Sequence, residues 1–168
     1  PMPHKNLWRL IEAYSSLKGI YPDLELVLAG RTDQNYREIQ RRVSDSGIGG
    51  VIFTGYITDG ELRWLYENCH AYVFPSLSEG FGLPGLEAMV HGAPVVSSKA
   101  TCLPEIYGEA AHYFDPLDKQ SLVSAIGEVL SSKELRGKLI AAGKFQAQRY
   151  SWRRMAEQTL EIYRSVLK

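Results

Sequence analysis

The sequence predicts an α/β domain: a Rossmann-like parallel sheet flanked by helices on both faces. Five short apolar runs alternate with amphipathic segments of helical period, and the apolar runs are nearly continuous rather than alternating. Strands buried on both faces require that continuity. The chain has 168 residues and no repeat, low-complexity stretch or linker, which fits one domain.

Leu7, Leu10, Ile11, Tyr14 and Leu17 share one face of a first helix. Residues 25–30 then form a buried strand ending in glycine, and residues 36–43 a polar helix stopped at Ser46-Gly47. A strand over 51–55 is followed by Thr58 and Glu61, the spacing at which hydroxyl and carboxylate satisfy each other's orphan backbone N–H groups. Leu62, Leu65, Tyr66 and Cys69 form the inner face of the helix they open, and residues 71–74 a third strand. Pro84 suits the first turn of the next helix. Residues 94–97 and 110–114 give the last two strands, and helices over 119–130, 133–148 and 152–167 finish the chain. The last has Trp152, Met155, Ala156, Leu160, Tyr163 and Leu167 on one side and Arg153, Glu157, Glu161 and Arg164 on the other. That pattern predicts a helix packed on the domain rather than one lying on a membrane, since its polar face mixes acids with bases. The chain opens on a helix without a preceding strand, as though its first strand–helix unit were cut through.

Composition excludes several classes. Nineteen basic and nineteen acidic side chains give a net charge of zero, whereas a nucleic-acid-binding domain shows a basic excess. The longest uncharged run, residues 46–58, has 13 residues and four glycines, too short to span a bilayer. Pro1-Met2-Pro3-His4 is no secretory signal. Cys69 and Cys102 stand alone, which points to a reducing, cytoplasmic setting. His4, His70, His91 and His112 lack ligand spacing, no Asp-x-Asp occurs, and no G-x-S-x-G is present. No metal site is expected.

In open parallel sheets ligands bind outside the carboxyl ends of the strands. Of the loops there, residues 75–87 are the richest: Pro75-Ser76-Leu77-Ser78-Glu79-Gly80-Phe81-Gly82-Leu83-Pro84-Gly85-Leu86-Glu87. Gly80 and Gly82 let backbone approach a ligand closely, and the helix behind them offers free N–H groups to an anion, with diphosphate the obvious guest. Turn-making is the plainer reading of the same glycines. Glu79 and Glu87 frame the anion site and suit sugar hydroxyls. A solvated loop charge at Glu79, and a carboxylate complementing the helix dipole at Glu87, are the alternatives. Gly80 to Gly85 also matches G-x-G-x-x-G, but five residues separate the strand end from the first glycine, and Ser97-Ser98-Lys99 ends the next strand without an acid for a ribose.

These residues resemble the nucleotide-sugar-binding C-terminal domain of family 4 retaining glycosyltransferases of the GT-B fold. The resemblance rests on Glu79-Gly80-Phe81-Gly82-Leu83-Pro84, the E-x7-E pair Glu79/Glu87, Glu87-Ala88-Met89 and Gly92-Ala93-Pro94-Val95-Val96. Leu103-Pro104-Glu105, Phe114-Asp115-Pro116 and Tyr150-Ser151-Trp152 add to it, over about residues 3–163. It implies that Glu79 binds hydroxyls of the donor hexose and Glu87 those of the ribose. Gly80, Phe81, Gly82 and Leu83 would offer backbone to sugar and phosphate, and Lys5 would neutralise the diphosphate leaving group. Tyr56 and Ile57 would hold the nucleobase, and Arg31, at a strand's carboxyl end, would reach phosphate or remain an exposed loop residue.

The resemblance further implies hexose transfer from a nucleoside diphosphate sugar, without metal or cofactor, to a glycan or lipid-linked acceptor. Similarity to bacterial mannosyltransferases of surface-polysaccharide synthesis favours GDP-mannose over UDP-sugars. The expected domain spans residues 1–168 and binds the donor. The family's acceptor-binding N-terminal domain, and the arginine of a strand before Lys5, have no counterpart in the sequence, so the chain alone is expected to be inactive. The parent enzyme would work in the cytoplasm, with peripheral association at the inner face of the membrane. A GT-B epimerase or phosphorylase, a non-catalytic nucleotide-binding module and a dinucleotide oxidoreductase are the alternatives.

Overall fold

A computed structural model describes residues 2–167; Pro1, the first residue of the segment read above as no secretory signal, and Lys168 lie outside it. The strands are β1 (Leu26–Ala29), β2 (Val51–Gly55), β3 (Tyr72–Phe74), β4 (Val95–Ser98) and β5 (Ala111–Phe114). The α-helices are α1 (Leu7–Lys18), α2 (Gln34–Ser46), α3 (Asp59–Asn68), α4 (Leu83–Val90), α5 (Leu103–Tyr107), α6 (Lys119–Ser131), α7 (Lys133–Ala147) and α8 (Trp152–Val166). All strand pairing is parallel, as the sequence predicts, with helices packed around it. The strands fall into two groups rather than one continuous sheet: β1 with β2, and β3-β4-β5.

Alternation along β4 explains the layering. Val95 and Val96 are both fully buried but point to opposite faces. Val96 joins a cluster with Leu10, Ile11 and Leu17 of α1, Leu28 of β1, Val43 of α2 and Leu122, Ile126 and Val129 of α6. Val95 joins Tyr66 of α3, Leu86 and Met89 of α4, Leu103 and Tyr107 of α5, and Ala147 of α7. A strand covered on both sides has no polar face, which is why its sequence is continuously apolar up to Ser97. The smaller β1–β2 pair is covered less completely; Val27 remains 37% and Ile52 40% exposed.

Caps fix the helix starts. Thr58 Oγ1 accepts from Glu61 N while the Glu61 carboxylate accepts from Thr58 N, the predicted reciprocal cap of α3. Asp33, Asp118 and Ser132 each accept from one backbone N–H, of Tyr36, Gln120 and Leu135, at the starts of α2, α6 and α7.

Two expectations change. Residues 103–107, of which Leu103-Pro104-Glu105 entered above only through the family resemblance, form α5, too short for a periodic signal but with Pro104 and Glu105 in its first turn. The terminal helix forms over Trp152–Val166 but does not pack: none of its residues is buried. Its apolar stripe meets no surface among the described residues.

Candidate functional site

The site is assembled at the carboxyl ends of β3 and β4. A 3-10 turn, Pro3–Lys5, precedes α1 and is pinned there by three contacts. His4 O accepts from Leu77 N at 2.7 Å, and Asn6 Nδ2 donates to Pro75 O and Pro116 O. Asn6 takes the left-handed backbone (φ 55°) that turns the chain from this coil into α1, a conformation asparagine tolerates. Lys5 is thereby held against the loop that follows β3. Its Nζ donates to Glu79 Oε1 at 2.7 Å and stands 5.7 Å from the centroid of the Phe74 ring.

The Lys5–Glu79 contact joins two residues 74 positions apart. Burial works to raise the Glu79 pKa, but the hydrogen bond and charge of Lys5 outweigh it and hold the carboxyl below its ordinary value. The Ser76 hydroxyl also favours the ionised form, although its buried Oγ meets no partner at full hydrogen-bond geometry. Glu79 is therefore ionised at neutral pH and already partnered.

Beyond Glu79 the loop turns at Gly82, whose φ of 88° opens the helix start. Tyr107, fully buried on α5, donates from Oη to Gly82 O at 2.6 Å. A Cβ at Gly82 would stand 2.6 Å from Leu103 Cδ2 and against Tyr107 Oη, and one at Gly85 would strike the Tyr107 ring. Gly82 and Gly85 are thus required by the tyrosine beneath them, whereas Gly80 has open space around it. The glycine pattern has two physical origins, and only at Gly80 is room for a ligand the simpler one. Phe81 and Leu83 are exposed, and their N–H groups meet no protein acceptor among the described residues.

Glu87 stands in the second turn of α4, exposed and outside the first-turn positions where a carboxylate best complements the helix dipole. It lines a hollow of about 290 Å³ with Asp59, Leu62, Arg63, Tyr66 and His91. Burial, then the Glu87 charge, push the Tyr66 phenol up to about 12, so it remains a neutral hydrogen-bonding group beside the carboxylate. Tyr56 and Ile57 lie elsewhere, after β2, in an open hollow of about 320 Å³ with Thr54, Glu61, Trp64 and Leu65. Arg31 is an exposed residue after β1. The structure therefore joins Lys5 to Glu79 and to the Gly80–Leu83 loop, and places Glu87 one helical turn beyond it. Tyr56 and Ile57 line a separate hollow across α3. Sequence reasoning missed Tyr107; glycines three apart at a helix start were the available sign of a bulky group beneath. Among the described residues no group of three or more His, Cys, Asp or Glu side chains could hold a metal ion.

A parallel α/β layer flanked by helices, with a lysine–carboxylate pair and a glycine loop gathered at its strand ends, is a Rossmann-like domain. Its structural neighbours are GT-B glycosyltransferases. The chain belongs to the glycosyl transferases group 1 family, whose model matches residues 2–146. It is 35% identical over 170 residues to O-antigen chain mannosyltransferase B of Escherichia coli, covering 96% of this chain and 43% of that protein. Identity to the serotype-specific mannosyltransferase WbdA of Escherichia coli is 37% over 173 residues, covering 99% of this chain and 21% of the relative. Sucrose-phosphate synthase from Thermosynechococcus elongatus superposes with a TM-score of 0.87 at 27% identity, over 99% of this chain and 43% of that one. The chain thus spans less than half the length of each of these proteins.

Proposed function

We propose that this chain is the donor-binding half of a retaining glycosyltransferase that moves a hexose, mannose by preference, from a nucleoside diphosphate sugar to a glycan or lipid-linked acceptor. The observation that supports it most is the Lys5–Glu79 pair beside the free N–H groups of Phe81 and Leu83. An incoming diphosphate offers Lys5 a second anionic partner. The Glu79 carboxylate, released in part from Lys5, can then accept from hexose hydroxyls. Glu87, one turn along α4, is assigned the ribose, and the hollow at Tyr56 and Ile57 the base. Arg31 is left the outer phosphate. Mannose rests on the names of the relatives, and GDP on the family resemblance of the sequence.

In the reaction the bond between the anomeric carbon and the diphosphate oxygen breaks on the face where the acceptor oxygen attacks. The acceptor proton passes to the leaving diphosphate, whose charge Lys5 and the loop N–H groups stabilise. A second domain, as the greater length of the relatives suggests, would supply the acceptor. No metal is needed in this scheme, and no cofactor. The parent would act in the cytoplasm, peripherally on a membrane; no helix described here is long and apolar enough to cross one.

Calorimetry with GDP, UDP and their hexose derivatives, in EDTA and in magnesium, tests the reading. Affinity should be alike in both; strict dependence on magnesium overturns the metal-free scheme. Glu87→Ala should weaken bare nucleotide by about 1–3 kcal/mol, while Glu79→Ala should remove only the affinity added by the hexose. Equal losses for bare nucleotide would refute the division of labour.

A further inference from the structure

Thr101, in the connection from β4 to α5, has a backbone that its side chain does not favour: φ is 46°, in the left-handed region. For a β-branched residue that is an outlier, and such strain persists only where the surroundings over-determine it. The surroundings here are one peptide of the candidate site. Thr101 Oγ1 accepts from Glu79 N at 3.1 Å and donates to Glu79 O at 3.2 Å. Cys102 Sγ donates to the same carbonyl at 3.3 Å. A single hydroxyl thus brackets both polar groups of the Glu79 backbone, from a segment 22 residues away. Among the described residues, these three are the hydrogen bonds of the Glu79 backbone.

We propose that Thr101 is a positioning residue, whose strained backbone aims its hydroxyl at Glu79 and so holds the Glu79 carboxylate in reach of Lys5 and of the donor sugar. The assignment of the sugar rests on the function proposed above; the contact with Lys5 does not. With the clasp removed, only the weak Cys102 thiol contact holds the Glu79 peptide, and the 2.7 Å ion pair becomes one of several arrangements. Relief of strain and loss of the hydroxyl act in opposite directions, so variants separate them. Thr101→Gly accepts the left-handed backbone and deletes the hydroxyl. Thr101→Val deletes the hydroxyl and keeps the strain. Thr101→Ser keeps the hydroxyl.

Two measurements on the 168-residue chain decide the matter. The first is the carboxyl pKa of Glu79, read by NMR titration of its side-chain carbonyl carbon. The second is calorimetric affinity for GDP-mannose and for GDP. Thr101→Gly and Thr101→Val should both raise the Glu79 pKa toward the ordinary value and cut GDP-mannose affinity about tenfold, the scale of one lost charge-assisted contact, with GDP affinity changed less than about twofold. Thr101→Ser should retain both properties. A merely structural role would lower the melting temperature of Thr101→Val without moving the pKa of Thr101→Gly, and that result overturns the proposal. Where the wild-type chain binds neither GDP-mannose nor GDP, the donor reading fails, and the titration still decides the role of Thr101.

Discussion

Replacing Gly82 by alanine should destabilise the protein heavily, while the same change two residues earlier should not. At Gly82 an alanine must accept a φ of 88°, which costs about 1–2 kcal/mol for an L-residue. Its Cβ must also fit against Tyr107 Oη and 2.6 Å from Leu103 Cδ2, where both neighbours are fully buried and cannot swing away. Overpacking of this kind costs about 1–3 kcal/mol more. The sum, about 2–5 kcal/mol, is a large part of the stability of a typical domain. At Gly80 an added Cβ meets nothing within 4 Å and the backbone needs no left-handed turn, so the change should stay within about 0.5 kcal/mol. Urea unfolding at constant m-value measures both. Shortening the tyrosine should relieve part of the clash, so a cycle with Tyr107→Leu should give a favourable coupling for Gly82→Ala. Near-wild-type stability for Gly82→Ala, or an equal loss at Gly80, would refute the assignment of these glycines.

Acid should act on the Lys5–Glu79 pair. Because the Glu79 carboxyl titrates below its ordinary 4.5 in the folded chain, its contribution is complete above that value and lost as pH falls through the lower, native one. Glu79→Gln should therefore flatten the fall in stability as pH drops below the ordinary carboxylate value; a profile as steep as wild type would show that the pair contributes nothing. Removing α8 by ending the chain after Ser151 should leave the melting temperature unchanged, since none of that helix is buried; a clear drop would mean that it packs in solution.

Much of this was legible in the sequence because the physics is local. The capping box at Thr58 and Glu61, and the apolar runs at 51–55 and 71–74, are short-range signals that the three-dimensional context does not overturn. The five-residue α5 escaped because one helical turn has no measurable period. For α8 the pattern was right and the inference from it wrong: an amphipathic stripe says which side seeks a partner, not that one is present. At the site, Glu79 and its glycines were visible as a cluster, and Lys5 only through family resemblance. The bond between Lys5 and Glu79 spans 74 residues, and no spacing rule reports that. Thr101 was invisible for a different reason, since its role depends on a backbone angle that its side chain would not predict.

β4 belongs to both faces of the sheet, and this ties the fates of the two clusters together. Val96 cannot leave the α1–α6 cluster without Val95 leaving the α4–α5–α7 cluster, because adjacent residues of one strand must move as one. The β3-β4-β5 sheet therefore has no seam between its two faces along which one cluster could melt while the other stayed native, and probes placed in the two clusters should report one transition. Amide hydrogens of Val95–Ser98 should exchange only through that global opening, whereas those of α8 should exchange by local fraying alone. The strand lends the candidate site its steadiness: the loops of Glu79 and Thr101 flank a segment that opens only when the whole domain does.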